Sequence, residues 1–266
     1  MRAFSLVLLL ALSLAVPASA EQDMLLGADM TALKMTRAEL TRAEVEVLIA
    51  KAGGRPVDLS DRSLSGLDLS GLDLRGANLR TARLNNANLR GADLSGANLQ
   101  QAWLLKADLR GAKLAGADMF GVTARGANFS GADLSKAKSI GDFKGADLSG
   151  ATLVDLRGGA DLKNQSMGLM RTVFTSANLS GTNLKGADLG RSRLEFADLT
   201  GADLTGVVLM GSDLSGANLT GTTVAGADFK NADVSGTRLL RLKGQDSVKG
   251  WDARINVERA IADNTN

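Results

Sequence analysis

A chain of 266 residues with 31 Lys and Arg against 29 Asp and Glu has no strong net field for gathering nucleic acid or anionic lipid. It contains no Cys, His or Tyr and only 3% aromatic residues, which excludes disulfides, thiol nucleophiles and imidazole bases. Leu, Ala, Gly and Asp dominate instead, a bias that points to a repeat rather than to an ordinary globular core.

Residues 1–20 open with Arg2, run through an apolar stretch from Phe4 to Val16 and end in Pro17-Ala18-Ser19-Ala20. This is the pattern of a secretory signal peptide with an A-x-A cleavage site. The expectation is cleavage after Ala20 and a periplasmic or secreted mature protein. No stable membrane span is expected after cleavage, since nothing later approaches the ~18 apolar residues of a spanning helix. Without Arg2, basic and acidic residues are in near balance. In the following segment, 21–56, Thr36-Arg37-Ala38-Glu39 matches a capping box. It predicts a helix to about Ala52, ended by Gly53, Gly54 and Pro56, with Leu40, Ala43, Val47 and Leu48 facing the core.

From Leu59 onward a large apolar residue recurs every five positions, through Leu64, Leu69 and Leu74 to Leu114. Neither a helix nor a flat strand has that period. Two places before most of these centres stands a small residue, as in Ala77, Ala87 and Ala97, with Asp or Asn between, and Gly often closes the unit. Gly76-Ala77-Asn78-Leu79-Arg80 is one example. The pattern resembles the pentapeptide-repeat family, A-(D/N)-L-x-x, over residues 57–240. That resemblance implies an all-β fold, a right-handed quadrilateral parallel β-helix whose central Leu or Phe and preceding Ala point inward. About nine coils stacked at the ~4.8 Å strand spacing are expected, with a short α-helix at each end. Such a stack is stable only as an array, because no coil buries its own interior.

The phase slips after Leu134 and again before Phe174. The 40 residues between them would be two whole coils, with intervening centres at Phe143, Leu153, Leu162 and Met167. On this reading the slips cancel, and 154–173 is an irregular coil or loop within one domain. Residues 241–266 then form a C-terminal helical cap or tail carrying Trp251, Ile255, Val257 and Ile261. Such a helix would cap the last coil or join two chains as a homodimer.

Sites of chemistry are sparse. No Ser lies in a G-x-S-x-G or S-x-x-K setting, Gly-rich runs such as Gly91–Gly96 lack the Lys and helix of a phosphate loop, and no cofactor is expected. Residues twenty apart should stack, giving ladders Asp68-Asn88-Asp108-Asn128 and Asn178-Asp198-Asn218. Single carboxylates in such ladders suit turn hydrogen bonding better than a cation cage. The informative departures are outward-facing: Arg83, Trp103, Leu105, Lys106 and Arg125 on one side, with Phe120 on the adjacent side, form an interaction patch rimmed by cations. Val208 and Met210 make a weaker one. The leading expectation is a non-catalytic scaffold for an unidentified protein or envelope component, with no nucleic-acid partner. The family resemblance also implies DNA mimicry directed at gyrase, against which the export signal and balanced charge count. A hydrolase in 154–173 would have only Asp155, Asp161, Lys163 and Ser166.

Overall fold

The computed structural model describes residues 31–160 and 171–263. The five-residue unit acts as one side of a coil. Its centre and the small residue two before it point inward, so that Ala77, Leu79, Ala87 and Leu89 are fully buried. Between them the Asp or Asn faces out, because side chains alternate along extended backbone. The unit closes on a left-handed residue, as at Gly91 (φ 61°) and Asn86 (φ 56°). Glycine and asparagine are favoured there because a Cβ disfavours that conformation.

Parallel backbone bridges join each outward residue to the one twenty positions on, in four rows that begin at Asp58, Ser63, Asp68 and Asp73. Between coils the Leu69 N–H donates to Asn88 O (2.7 Å) and the Gly71 N–H to Arg90 O (2.9 Å). The fold is therefore a solenoid with few helices and little regular sheet, around one continuous apolar column. No helix among the described residues is long and apolar enough to cross a membrane.

The slips do not cancel over two coils. Thr123 pairs with Asp142, one residue short of the regular step, and Asp142 then pairs with Val173, eleven residues beyond it. The net surplus is ten residues, which preserves a period of five but rotates a period of twenty by two sides. Leu134 therefore follows the Asp73 row and Phe174 the Ser63 row, on opposite sides of the coil. The two ladders expected to be separate are one row, running Asp68, Asn88, Asp108, Asn128, Asp147, Asn178, Asp198 and Asn218.

Both irregularities lie at the corner leading into the Ser63 row. At the first, β1 (Val122–Thr123) pairs in parallel with β2 (Gly141–Asp142). A Cβ at Gly141 would stand 2.6 Å from Val122 O, so this tight corner requires glycine. One coil later the described residues follow the coil to Ala160 and are again in register by Val173, where the buried Thr172 hydroxyl donates to Gly158 O (2.7 Å). Within the expected irregular segment, Arg157 and Val173 hold regular places in the rows. Leu162 and Met167, with Asp161, Lys163 and Ser166, lie outside the described residues.

The ends correct two further expectations. The N-terminal helix does not start at Thr36: a short α1 (Leu33–Thr36) precedes α2 (Arg42–Ala52), and the capping box is formed by Thr41 and Glu44. The sequence offers Thr-Arg-Ala-Glu twice, at 36–39 and 41–44. The second copy takes the cap because the first is held on the edge of the first coil, where the Glu39 N–H donates to Ser63 O (2.8 Å). This later start buries Val45 fully and packs Leu48, Ile49 and Ala52 on the core, with Leu40 alongside, leaving Ala43 and Val47 exposed.

At the other end there is no α-helix among the described residues. Lys243, Lys249, Ile255 and Ile261 extend the four rows at intervals of six residues, the last through the pairing of β3 (Arg238–Leu239) with β4 (Ile261–Ala262). Short 3₁₀ turns, Gln245–Ser247, Trp251–Ala253 and Val257–Arg259, make the corners, each preceded by a left-handed Gly244, Gly250 or Asn256. Those residues interrupt the helical pattern read from Trp251 to Ile261. Trp251 meets Phe229 edge-on at 5.4 Å, and the Arg254 guanidinium stacks 3.5 Å above the Trp251 ring. The indole thereby covers the top of the column.

Candidate protein-interaction surface

On most of the surface the outward Asp or Asn is part of the turn. Its Oδ1 accepts the N–H two residues on: Ser70 to Asp68 (3.0 Å), Ser95 to Asp93 (3.1 Å), Ser180 to Asn178 (3.0 Å). At several steps where Asn follows Asp up a row, the Asn amide also donates down to that Asp, as Asn88 does to Asp68 (2.9 Å) and Asn178 to Asp147 (3.1 Å), whereas Asn218 above Asp198 donates to the Thr200 hydroxyl (2.8 Å). Alternation thus replaces carboxylate repulsion with a hydrogen bond. These bonds favour the ionised carboxylate. Ser70 holds Asp68 below the usual carboxylate range, Ser60 does the same for Asp58, and Arg75 brings Asp73 down to about 2.

The Ser63 row breaks the pattern on consecutive coils with Arg83, Trp103 and Thr123. Trp103 has no oxygen for the corner N–H of Leu105. That N–H donates instead to Asn85 Oδ1 of the coil below (3.1 Å), while the Asn85 amide donates to Met35 O (3.1 Å). Asn85, which is buried, thus compensates for the indole and ties the N-terminal segment to this side. The predicted residues Arg83, Trp103, Leu105, Lys106 and Arg125 do come together here, on three successive coils. Arg83, Trp103 and Leu105 are half-buried and Lys106 is exposed.

Two members have partners within the chain. Arg125 is ion-paired with the nearly buried Asp142 (2.5 Å), so its charge is already matched. Phe120 stands at the neighbouring corner, half-buried, with the Lys138 ammonium 4.6 Å from its ring centre. Of the weaker patch, Val208 is half-buried and Met210 exposed.

Residues 63–101, 102–138, 169–206 and 208–239, together more than half of the chain, match the model of pentapeptide repeats, in eight copies. The chain belongs to the pentapeptide-repeat family. Among solved structures it is similar to HetL, a pentapeptide repeat protein involved in heterocyst differentiation regulation in Nostoc sp. strain PCC 7120. The identity is 27%, over 82% of this chain and 95% of that one, at a TM-score of 0.39. It is also similar to full-length QnrB1, a plasmid-mediated fluoroquinolone resistance protein, with 20% identity over 74% and 92% of the two chains and a TM-score of 0.44. A third similar structure is a pentapeptide repeat protein of the Arabidopsis thaliana thylakoid lumen, 26% identical over 54% and 68%, with a TM-score of 0.19. No curated protein matches the chain.

Within this pentapeptide-repeat frame one outward residue escaped the sequence reading. Phe196 is 69% exposed and left-handed at φ 58°, in the corner place that Gly216 and Gly236 occupy on the next coils. Its ring lies against Gly216, where a Cβ would meet Phe196 Cδ1 at 2.6 Å. Beside it Glu195, almost buried, pairs with Arg193 (2.5 Å) and accepts the Thr175 hydroxyl (2.9 Å). The signal was present in Leu194-Glu195-Phe196-Ala197, where Phe stands in place of the closing Gly.

Proposed function

We propose that this pentapeptide-repeat protein is a non-catalytic scaffold, periplasmic or secreted, that holds a partner protein or envelope component against its Ser63-row side. The observation that carries the reading is the substitution of Arg83 and Trp103 for turn-forming Asp or Asn, with Asn85 recruited to satisfy the turn. A repeat that keeps its fold while giving up its usual outward residue on one side is presenting a surface there. Family members are generally non-catalytic scaffolds, which supports the same reading, and the signal-like residues 1–20 support export.

Proximity labelling in the exporting cell, with wild-type protein and Trp103→Ala side by side, tests it. A defined set of neighbours lost in the variant is expected, and an identical set in both would sink the reading. Interaction with DNA gyrase, implied by the family resemblance, is the alternative carried beside it. A supercoiling assay separates the two: dose-dependent inhibition or quinolone protection by the mature protein would favour gyrase over the scaffold.

A further inference from the structure

Resting on that scaffold reading, we propose that the corner beside the Ser63 row docks a narrow, extended, acidic segment of another polypeptide, anchored by apolar groups at Trp103–Leu105 and at Phe196. The corner is continuous between these ends. Lys106 N–H donates to Arg125 O, Gly126 N–H to Lys144 O, Gly145 N–H to Thr175 O and Ser176 N–H to Glu195 O. Four such steps at strand spacing separate the anchors by ~19 Å, about six residues of extended chain.

The charges along this strip are asymmetric. Its two carboxylates, Asp142 and Glu195, are buried and ion-paired with Arg125 and Arg193. Lys106 and Lys144 are exposed and have no ion pair among the described residues. Asp213 stands in the Ser63 row on the coil above Arg193, and Asp61 lies at the other corner of that row, outside the strip. The free charge inside it is therefore cationic, and an acidic ligand complements it.

Four places on this corner are left-handed without being glycine, Asn86, Lys106, Ser176 and Phe196, where Gly126, Gly145 and Gly216 stand elsewhere. The two bulkiest of the four, Lys106 and Phe196, are at the ends of the strip. Bulky side chains are disfavoured there, and an exposed aromatic in such a conformation gains little from its own fold. The adjoining Asp68 row carries Asp on alternate coils. A broad polyanion, such as a duplex or an anionic bilayer, would meet those carboxylates around the corner, whereas a single extended chain confined to the strip avoids them.

The test uses the mature full-length chain and a fluorescein-labelled peptide, Leu-Glu-Asp-Ser-Glu-Asp-Trp, read by fluorescence anisotropy. Saturable binding is expected. It should weaken by about tenfold or more in Trp103→Ala combined with Phe196→Gly, and again in Lys106→Glu combined with Lys144→Glu. Arg90→Ser with Arg110→Ser, on a different corner, should leave it unchanged, and thermal melts confirm that each variant is folded. Absence of saturable binding overturns the proposal, as does equal weakening by the control pair. Trp103-dependent binding of phosphatidylglycerol vesicles also overturns it. So does a large gain of peptide affinity in Glu21→Gln, Asp23→Asn, Asp29→Asn, which would give the strip to the chain's own acidic residues. If Trp103-dependent neighbours are captured in the cell while a Lys-for-acid peptide binds as well as the acidic one, the partner chemistry fails and the scaffold survives. If no neighbours depend on Trp103, the scaffold reading itself fails.

Discussion

The Asp68 row and the Ser63 row run side by side along the same solenoid on the same apolar column, and they use their outward positions differently. In the first, Asp or Asn stands on eight successive coils and every one is available to its own turn. In the second, Arg83, Trp103, Thr123, Val173 and Arg193 displace it, and satisfaction of the backbone moves to neighbours such as Asn85. The inward residues specify the coil, so the outward residue is free to vary wherever another group can meet the corner N–H. The difference between the rows therefore lies on the surface and in the turns.

The largest expected effect tests whether the column is blind to side. Leu89→Ala, under the Asp68 row, and Leu104→Ala, under the Ser63 row, each remove a fully buried side chain and should each cost about 2–5 kcal/mol. Urea denaturation should give similar losses; a Leu104 variant close to wild type would mean the Ser63-row side is loosely packed. Next comes Asn85→Ala, which orphans the Leu105 N–H and should cost ~1–3 kcal/mol. Trp103→Asn restores the local turn acceptor, so adding it to Asn85→Ala should recover part of the loss, and a strictly additive double-mutant cycle would refute the compensation. Phe196→Gly should stabilise by roughly 1 kcal/mol by relieving the left-handed conformation, whereas Gly216→Ala should destabilise through its contact with the Phe196 ring.

The smallest effect distinguishes the rows by acid. Asp58, Asp68, Asp73 and Asp93 have pKa values below the ordinary carboxylate range. A carboxyl that titrates lower in the folded chain contributes stability that is complete above the unfolded value of about 4. That contribution is lost as pH falls, for Asp73 toward about 2. The melting temperature should therefore be nearly flat from neutral pH to about pH 5 and decline below about pH 4. Asp73→Asn should decline slightly less, and an unchanged acid profile would show that the Arg75 bond contributes nothing in solution.

Legibility in the sequence follows the same division. Inward positions were readable because burial demands apolar side chains at a fixed period, and the turn role of Asp and Asn was readable from their side-chain chemistry. Five of the patch residues fall on one side of neighbouring coils, since stacking there needs only the regular step. What Arg125 pairs with, and that Lys138 sits over Phe120, depended on contacts between coils that no local pattern records. Phe196 was missed because it occupies a place read as punctuation. Both helix boundaries went astray where a local motif had two solutions: the duplicated Thr-Arg-Ala-Glu, and a C-terminal apolar pattern whose six-residue recurrence of Lys243-Gly244, Lys249-Gly250 and Ile255-Asn256 outweighs its helical spacing.

By itself the sequence determined the five-residue unit, its inward Ala and Leu, its turn-forming Asp and Asn, and membership of the pentapeptide-repeat family, because each rests on side-chain chemistry within a few residues. Only the tertiary structure decided which side each later unit occupies. A deficit of one residue and a surplus of eleven at the same corner leave the local period intact while turning the chain by two sides. Hydrogen bonds between coils select that register, and with it they align Trp103 and Phe196 along one corner of the rod.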